Sequence, residues 1–135
     1  MTAVLVDSNV IIDIFSEDTR WWSWSSRALR VAATEGRVVI NPIVYGEVSF
    51  RFESIEDLEQ ALPAIIEREP IPYEAAFLAG KAFIAYRRRA GISGRTSLLP
   101  DFYIGAHAAI RSYRLLTRDV ARYRTYFPKL QLIAP

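Results

Sequence analysis

Asp7, Glu47, Asp101 and Asp119 stand at parallel places in the chain. Asp7 ends the apolar, β-branched run Ala3-Val4-Leu5-Val6, and Asp119 follows Tyr113-Arg114-Leu115-Leu116-Thr117 and Arg118. Asp101 comes after Pro100 at a helix start. Glu47 falls about one and a half turns into the helix that Asn41-Pro42 opens. Short apolar runs of this kind read as strands buried on both faces of a parallel sheet. The carboxyl ends of such strands share one edge, where open α/β sheets bind ligands. Four carboxylates converging there repel one another and raise each other's pKa unless a cation sits among them. Oxygen donors without His or Cys select Mg²⁺ or Mn²⁺ over zinc. Such ions generate hydroxide and hold a phosphodiester, so the chemistry expected is metal-dependent phosphodiester hydrolysis.

Each acid also has a plainer reading. Asp7, Asp101 and Asp119 could cap helices, and Glu47 could be a solvated surface residue. Capping, however, does not require all four at one edge. Thr117 is expected to bond the neighbouring carboxylates or a substrate phosphate, or else to be a β-branched strand residue. Asn9 is expected to support the acids from a helix start, with Ser8 as a simple cap. His107 lies six residues past Asp101, roughly 240° around a helix, and is read as structural. Asp13 is read as a surface or capping residue.

The elements that must position these groups follow from pattern and punctuation. The first helix begins near Val10, and Ser16 to Arg20 is a turn. A second helix opens at Trp21 and runs to about Glu35, stopped by Gly36. Arg37 to Ile40 is a strand, and the next helix turns Val44, Val48 and Phe50 inward. Ser54-Ile55-Glu56-Asp57 resembles a capping box. It starts a helix through Leu58, Leu62 and Ile65-Ile66, with a break expected at Pro63. Glu69 to Pro72 is a connector or a very short strand. Tyr73 to Arg89 is an amphipathic helix with Ala76, Phe77, Ala79, Gly80, Phe83 and Ile84 as packing candidates. Gly91 to Ser97 is a loop, Pro100 opens a helix of small residues, and Leu130 to Ile133 is a last strand. Strands alternating with helices imply one domain, 1–135, a three-layer α/β/α fold around a parallel sheet.

Half of the residues are hydrophobic and a quarter charged, as in ordinary globular domains. There are no cysteines, which excludes disulfides and thiolate metal sites. No export signal opens the chain, and no apolar run nears the roughly 20 residues a bilayer needs, so a cytoplasmic protein without a membrane segment is expected. Residues 1–86 hold seven Lys/Arg against thirteen Asp/Glu, whereas residues 87–135 hold ten against two. Fifteen of the seventeen basic residues are Arg, the side chain suited to phosphate. A basic half beside an acidic site implies a polyanionic substrate or an acidic partner protein. Arg87, Arg88 and Arg95 are candidates to track an RNA backbone, although a solvated helix end is the more usual explanation of such a run. Trp21, Trp22 and Trp24 are many large aromatics for one helix start, and at least one is expected to face a partner or a base.

The stretches Val6-Asp7-Ser8-Asn9-Val10-Ile11-Ile12-Asp13, Glu47, Leu99-Pro100-Asp101-Phe102-Tyr103-Ile104-Gly105-Ala106-His107-Ala108 and Leu115-Leu116-Thr117-Arg118-Asp119 resemble the PIN-domain ribonucleases. More narrowly, they resemble the VapC-type toxins of bacterial toxin–antitoxin pairs, in order and over essentially the whole chain. That resemblance implies an Mg²⁺- or Mn²⁺-dependent endoribonuclease with Asp7, Glu47, Asp101 and Asp119 as its metal-binding acids. It also implies a homodimer and silencing by an antitoxin whose tail covers the active site. Some relatives carry a further acid in the helix corresponding to Tyr73–Arg89, where this chain has Ala79-Gly80-Lys81. The alternatives are a catalytically inactive nucleic-acid-binding domain of the same fold and a receiver-like phosphoacceptor. The latter would want an Asp ending an internal strand, where Val38-Val39-Ile40 is followed by Asn41.

Overall fold

The computed structural model describes residues 3–91 and 99–135. Five parallel strands form one sheet: β1 (Val4–Val6), β2 (Val38–Ile40), β3 (Ile66–Arg68), β4 (Arg114–Leu116) and β5 (Leu132–Ile133). Their order across the sheet is β3-β2-β1-β4-β5, so the first strand is central and the chain winds outward from it in both directions. The register pairs Val4 with Val38 on one side and with Arg114 on the other. Each strand is short, and β1 and β2 are buried at every residue. Continuous Val/Leu/Ile runs are therefore sufficient to specify them.

Helices α1 (Ser8–Phe15), α2 (Trp22–Glu35), α3 (Pro42–Ser49), α4 (Ile55–Ala61), α5 (Tyr73–Ala90), α6 (Pro100–Arg111) and α7 (Val120–Tyr126) flank this sheet. Local chemistry sets several of their ends. The Asn41 side chain accepts from the Val44 N–H at 3.0 Å with Pro42 at the first helical position, and Ser54 accepts from the Asp57 N–H at 3.1 Å. Gly91, at φ 67°, closes α5 in the left-handed region that glycine enters without strain. The three-layer α/β arrangement around a parallel sheet is as expected.

Several local expectations are corrected. The helix breaks at Pro63 as expected, α4 stopping at Ala61, but it does not resume: Ile66, read as helical, belongs to β3. Pro63 removes a helical N–H, and the Ile66-Glu67-Arg68 backbone is needed to pair β2. Phe50 is 86% exposed, because it caps the end of α3 after the inward face has been used by Val44 and Val48. On α5 the buried stripe is Ala75, Ala79 and Phe83, at four-residue spacing, and Phe77 and Ile84 point to solvent. The expected loop from Gly91 to Ser97 lies, after Gly91, outside the described residues. The small residues of α6 serve close packing: a Cβ on Gly105 would stand 2.5 Å from the Phe127 ring. Phe102, next to it, stacks on Tyr126 with ring centroids 4.1 Å apart, which seats α6 against α7.

Candidate active site

Asp7 leaves β1 with its own N–H bonded to the Leu116 carbonyl, one step beyond the β1–β4 ladder. Its side chain is both a cap and a member of the acidic edge. Oδ1 accepts from the Ser8 N–H at 2.8 Å, and Oδ2 accepts from the Thr117 hydroxyl at 2.8 Å and the Asn9 amide at 3.3 Å. Despite these donors, burial of the carboxyl raises its pKa to about 6, with the charge of Glu47 a lesser contribution in the same direction. Tyr123 stands behind it, fully buried, with a hydroxyl that forms no hydrogen bond of good geometry among the described residues. Burial first, and then the charges of Asp7 and Asp101, push that phenol well above its ordinary pKa.

Glu47 reaches the edge from α3, and its Oε1 accepts from the Ser8 hydroxyl at 2.8 Å. Ser8 is thus a bridge between two of the acids, more than the simple cap expected. Asp101 is the second residue of α6, and burial raises its pKa from the ordinary Asp value although Arg122 opposes the shift. Asp119 precedes α7, with its N–H bonded to the Thr117 hydroxyl at 3.0 Å. Thr117 and Asn9 are mutually hydrogen-bonded at 3.3 Å, and Asn9 Oδ1 accepts from the Arg118 N–H at 3.2 Å. The two residues expected to support the acids therefore tie the start of α1 to the end of β4.

Asp7, Ser8, Asn9, Glu47, Asp101, Arg118, Asp119 and Arg122 line a single cleft of about 370 Å³. The four acids are brought to one edge, but among the described residues no three of them stand close enough to enclose an ion. Two cationic side chains that sequence reasoning left out stand beside the acids. Arg122 Nη1 lies 2.9 Å from Asp101 Oδ2, and its Nε lies 3.1 Å from Asp119 Oδ2, so one guanidinium spans the pair. Only its position three residues after Asp119 on a helix signalled it. Arg118 turns the other way, donating Nε and Nη2 to Asp13 at 2.6 and 2.9 Å and lying 4.9 Å over the Trp21 ring. Asp13, expected at the surface, is 2% exposed and also accepts from Ser25 at 2.7 Å.

The remaining candidates lie elsewhere. His107 is fully buried between the Asn41 amide at 3.1 Å and Glu69 at 2.6 Å, a packing role consistent with its place on α6. Arg87 and Arg88 are in the last turn of α5, Arg87 lying 5.7 Å over the Phe83 ring, and neither lines the acidic cleft. Arg95 lies outside the described residues. Trp22 is 44% exposed, whereas Trp21 and Trp24 are half-buried. Trp24 and Val31 line a second groove, of about 400 Å³, closed by Arg114 and Ile133. That groove runs between α2 and the β4–β5 side of the sheet.

The sequence matches the model of the PIN domain over residues 4–128. The chain belongs to the PIN-domain family. Members of this family are generally nucleases, and PIN nucleases typically use divalent metals. No curated protein matches the sequence. Among solved structures, the fold is similar to VapBC2 from Rickettsia felis bound to a DNA fragment from its promoter, at 16% identity and a TM-score of 0.75, covering 98% of each chain. It is also similar to VapBC-1 from nontypeable Haemophilus influenzae, at 18% identity and a TM-score of 0.72 over 98% of each chain. A toxin–antitoxin complex from Klebsiella pneumoniae is similar at 20% identity and a TM-score of 0.61, covering 97% of this chain and 96% of that one. At these identities the likeness is one of fold. Among the described residues no helix is long and apolar enough to cross a membrane.

Proposed function

We propose that this PIN domain is an Mg²⁺- or Mn²⁺-dependent endoribonuclease and the toxin of a toxin–antitoxin pair. The observation that carries the reading is the cleft itself, in which four distant acids from four different elements line one edge beside Thr117 and Asn9. The donor set fits a hard divalent cation, being carboxylate oxygens beside the Ser8 and Thr117 hydroxyls, without ring nitrogen or sulfur. The fit has a second support in Arg122, since the Asp101–Asp119 pair already accommodates positive charge between its Oδ2 atoms. Asp7, Glu47, Asp101 and Asp119 would hold the ion.

A bound divalent ion supplies hydroxide near neutral pH and offsets charge on the phosphate. The chain's own residues do the rest. Thr117 and Asn9 fix the Asp7 carboxylate, and Ser8 fixes Glu47, so two acids are oriented before any ligand arrives. The Asn9–Arg118 backbone bond and the Thr117–Asp119 bond hold the segment that presents Asp119. Arg87, Arg88 and Arg95 belong to this reading as contacts to the RNA backbone. A homodimer is supported by Tyr73, Phe77 and Ile84, exposed on one face of α5. A cognate antitoxin is supported by the exposed tryptophan at the start of α2 and the groove beside Trp24.

Purified protein incubated with structured RNA tests the nuclease reading. Cleavage is expected with Mn²⁺ or Mg²⁺, none with EDTA, and none by Asp101→Asn protein that melts like wild type. Undiminished cleavage by that variant would remove the acids from the mechanism. RNA bound in Mn²⁺ but left uncut would favour a PIN-like binding domain without chemistry.

A further inference from the structure

We infer that Arg122 has two stations, the Asp101–Asp119 carboxylates in the metal-free chain and a phosphate of bound RNA once a divalent ion has taken its place. The inference rests on the metal-dependent reading above. Arg122 sits on α7, one turn after Asp119, and its guanidinium contacts the Oδ2 atoms of both carboxylates through Nη1 and Nε. These two acids lie in different elements, so the guanidinium is also what bridges α6 to α7 at the cleft. A guanidinium keeps its charge at every accessible pH and cannot yield the site by losing a proton. An ion ligated by Asp101 and Asp119 needs those same oxygens, and two cations at that distance repel. Loading the cleft and keeping both Arg122 contacts are therefore opposed.

The side chain is built to leave. It is 48% exposed against 14% for Asp101 and 33% for Asp119, so the carboxylates are fixed in the cleft wall and the long arginine stem is at its rim. Displaced by a rotation of that stem, the guanidinium still faces the cleft that Asp7, Glu47 and Asp101 line. An anion drawn to a metal in this cleft would come within its reach, and arginine matches phosphate oxygens with two parallel N–H bonds. The residue would then add a positive contact where the acids alone repel RNA.

The test measures two affinities on the full-length protein. Mn²⁺ binding is followed by calorimetry, and binding of a fluorescent oligoribonucleotide by stopped-flow anisotropy at saturating Mn²⁺, read before cleavage sets in. Arg122→Ala is expected to bind Mn²⁺ on the order of tenfold more tightly, because the internal competitor is gone, and RNA on the order of tenfold more weakly. Arg122→Lys, which keeps the charge and the helix, should fall between wild type and alanine on both scales. Opposite signs for the two ligands are the signature, since a merely structural arginine would weaken both when removed. Either affinity staying as in wild type, or both weakening together, overturns the inference while Mn²⁺ binding by wild type keeps the metal reading in place. Absence of Mn²⁺ binding from wild type and both variants would overturn the two together.

Discussion

Arg118 and Asp13 form a two-point ion pair, Nε to Oδ2 at 2.6 Å and Nη2 to Oδ1 at 2.9 Å, that locks the segment carrying Asp119 to the middle of α1. Asp13 is 2% exposed, and its Oδ2 also accepts from Ser25 on α2. The Trp21 ring lies 4.9 Å from the guanidinium and covers one of its faces. One residue beside the acidic cleft is thus anchored to both α1 and α2. Removing Arg118 leaves the Asp13 carboxylate buried with only Ser25 as a partner, a loss of about 3–5 kcal/mol for buried pairs of this kind. Arg118→Ala is expected to lower stability towards the bottom of that range, since Arg118 keeps 27% of its side-chain surface. The Asp13→Ala/Arg118→Ala double variant should lose less than the sum of the single losses in urea denaturation. Additive losses would show that the pair is not coupled.

Asp7 gives the metal-free protein a pH dependence of defined sign. Its folded pKa is about 6 against an ordinary 3.8, raised chiefly by burial. The folded chain therefore holds a proton that the unfolded chain has released between about pH 4 and pH 6, and stability from this group falls as pH rises through that window. Above it the buried charge costs on the order of 3 kcal/mol. In EDTA at pH 7, Asp7→Asn should be the more stable protein by about 1–3 kcal/mol, the range reflecting hydrogen bonds from Ser8, Thr117 and Asn9 that an amide meets less well. The gap should close by pH 4. A constant difference across that range would mean that Asp7 is not the group responsible.

How far the acids were legible in the sequence depended on what each needed. Asp7 and Asp119 follow apolar strand runs, and Asp101 follows a proline, so local pattern located three of them and the parallel sheet brought all four to one edge. Arg122, Asp13 and Ser8 were not legible, because their roles come from partners in other elements. Asp13 meets Arg118 across 105 positions, and Ser8 meets Glu47 across 39. The same limit misplaced Phe77 and Ile84: α5 carries apolar residues on two faces, and only the packing of Ala75, Ala79 and Phe83 shows which is inward. The third strand was missed because Ile65-Ile66 continues a helical pattern and only pairing with β2 makes it extended.

Metal binding should be visible as stability as well as activity. If the four acids jointly hold Mn²⁺, an ion at about 100 times its Kd adds roughly 2.7 kcal/mol to the folded state, provided the unfolded chain does not bind it. Thermal melts of wild type with and without Mn²⁺ should show that shift, and Asp7→Asn and Asp101→Asn should show much less. Equal shifts in all three proteins would place the ion outside this cleft.

The last expectation concerns the antitoxin. Trp22 is 44% exposed, and Trp24 lines the groove that Ala28, Val31 and Ile133 continue, with Arg27, Glu35 and Arg114 at its edges. An apolar floor with charged edges of both signs suits an amphipathic helix lying lengthwise. Trp21 differs from its neighbours, since its ring is occupied by Arg118 and its N–H by Asp18 at 2.8 Å. Alanine at Trp22 or Trp24 should therefore weaken binding of the antitoxin by the ~2 kcal/mol or more of an aromatic hot spot and leave RNA cleavage by the free protein intact. Alanine at Trp21 should instead lower thermal stability through the Arg118–Asp13 pair. Calorimetry with the product of the adjoining upstream reading frame, beside melts of each variant, separates the two effects. Antitoxin held as tightly by Trp21→Ala, Trp22→Ala and Trp24→Ala as by wild type would move its docking surface away from α2.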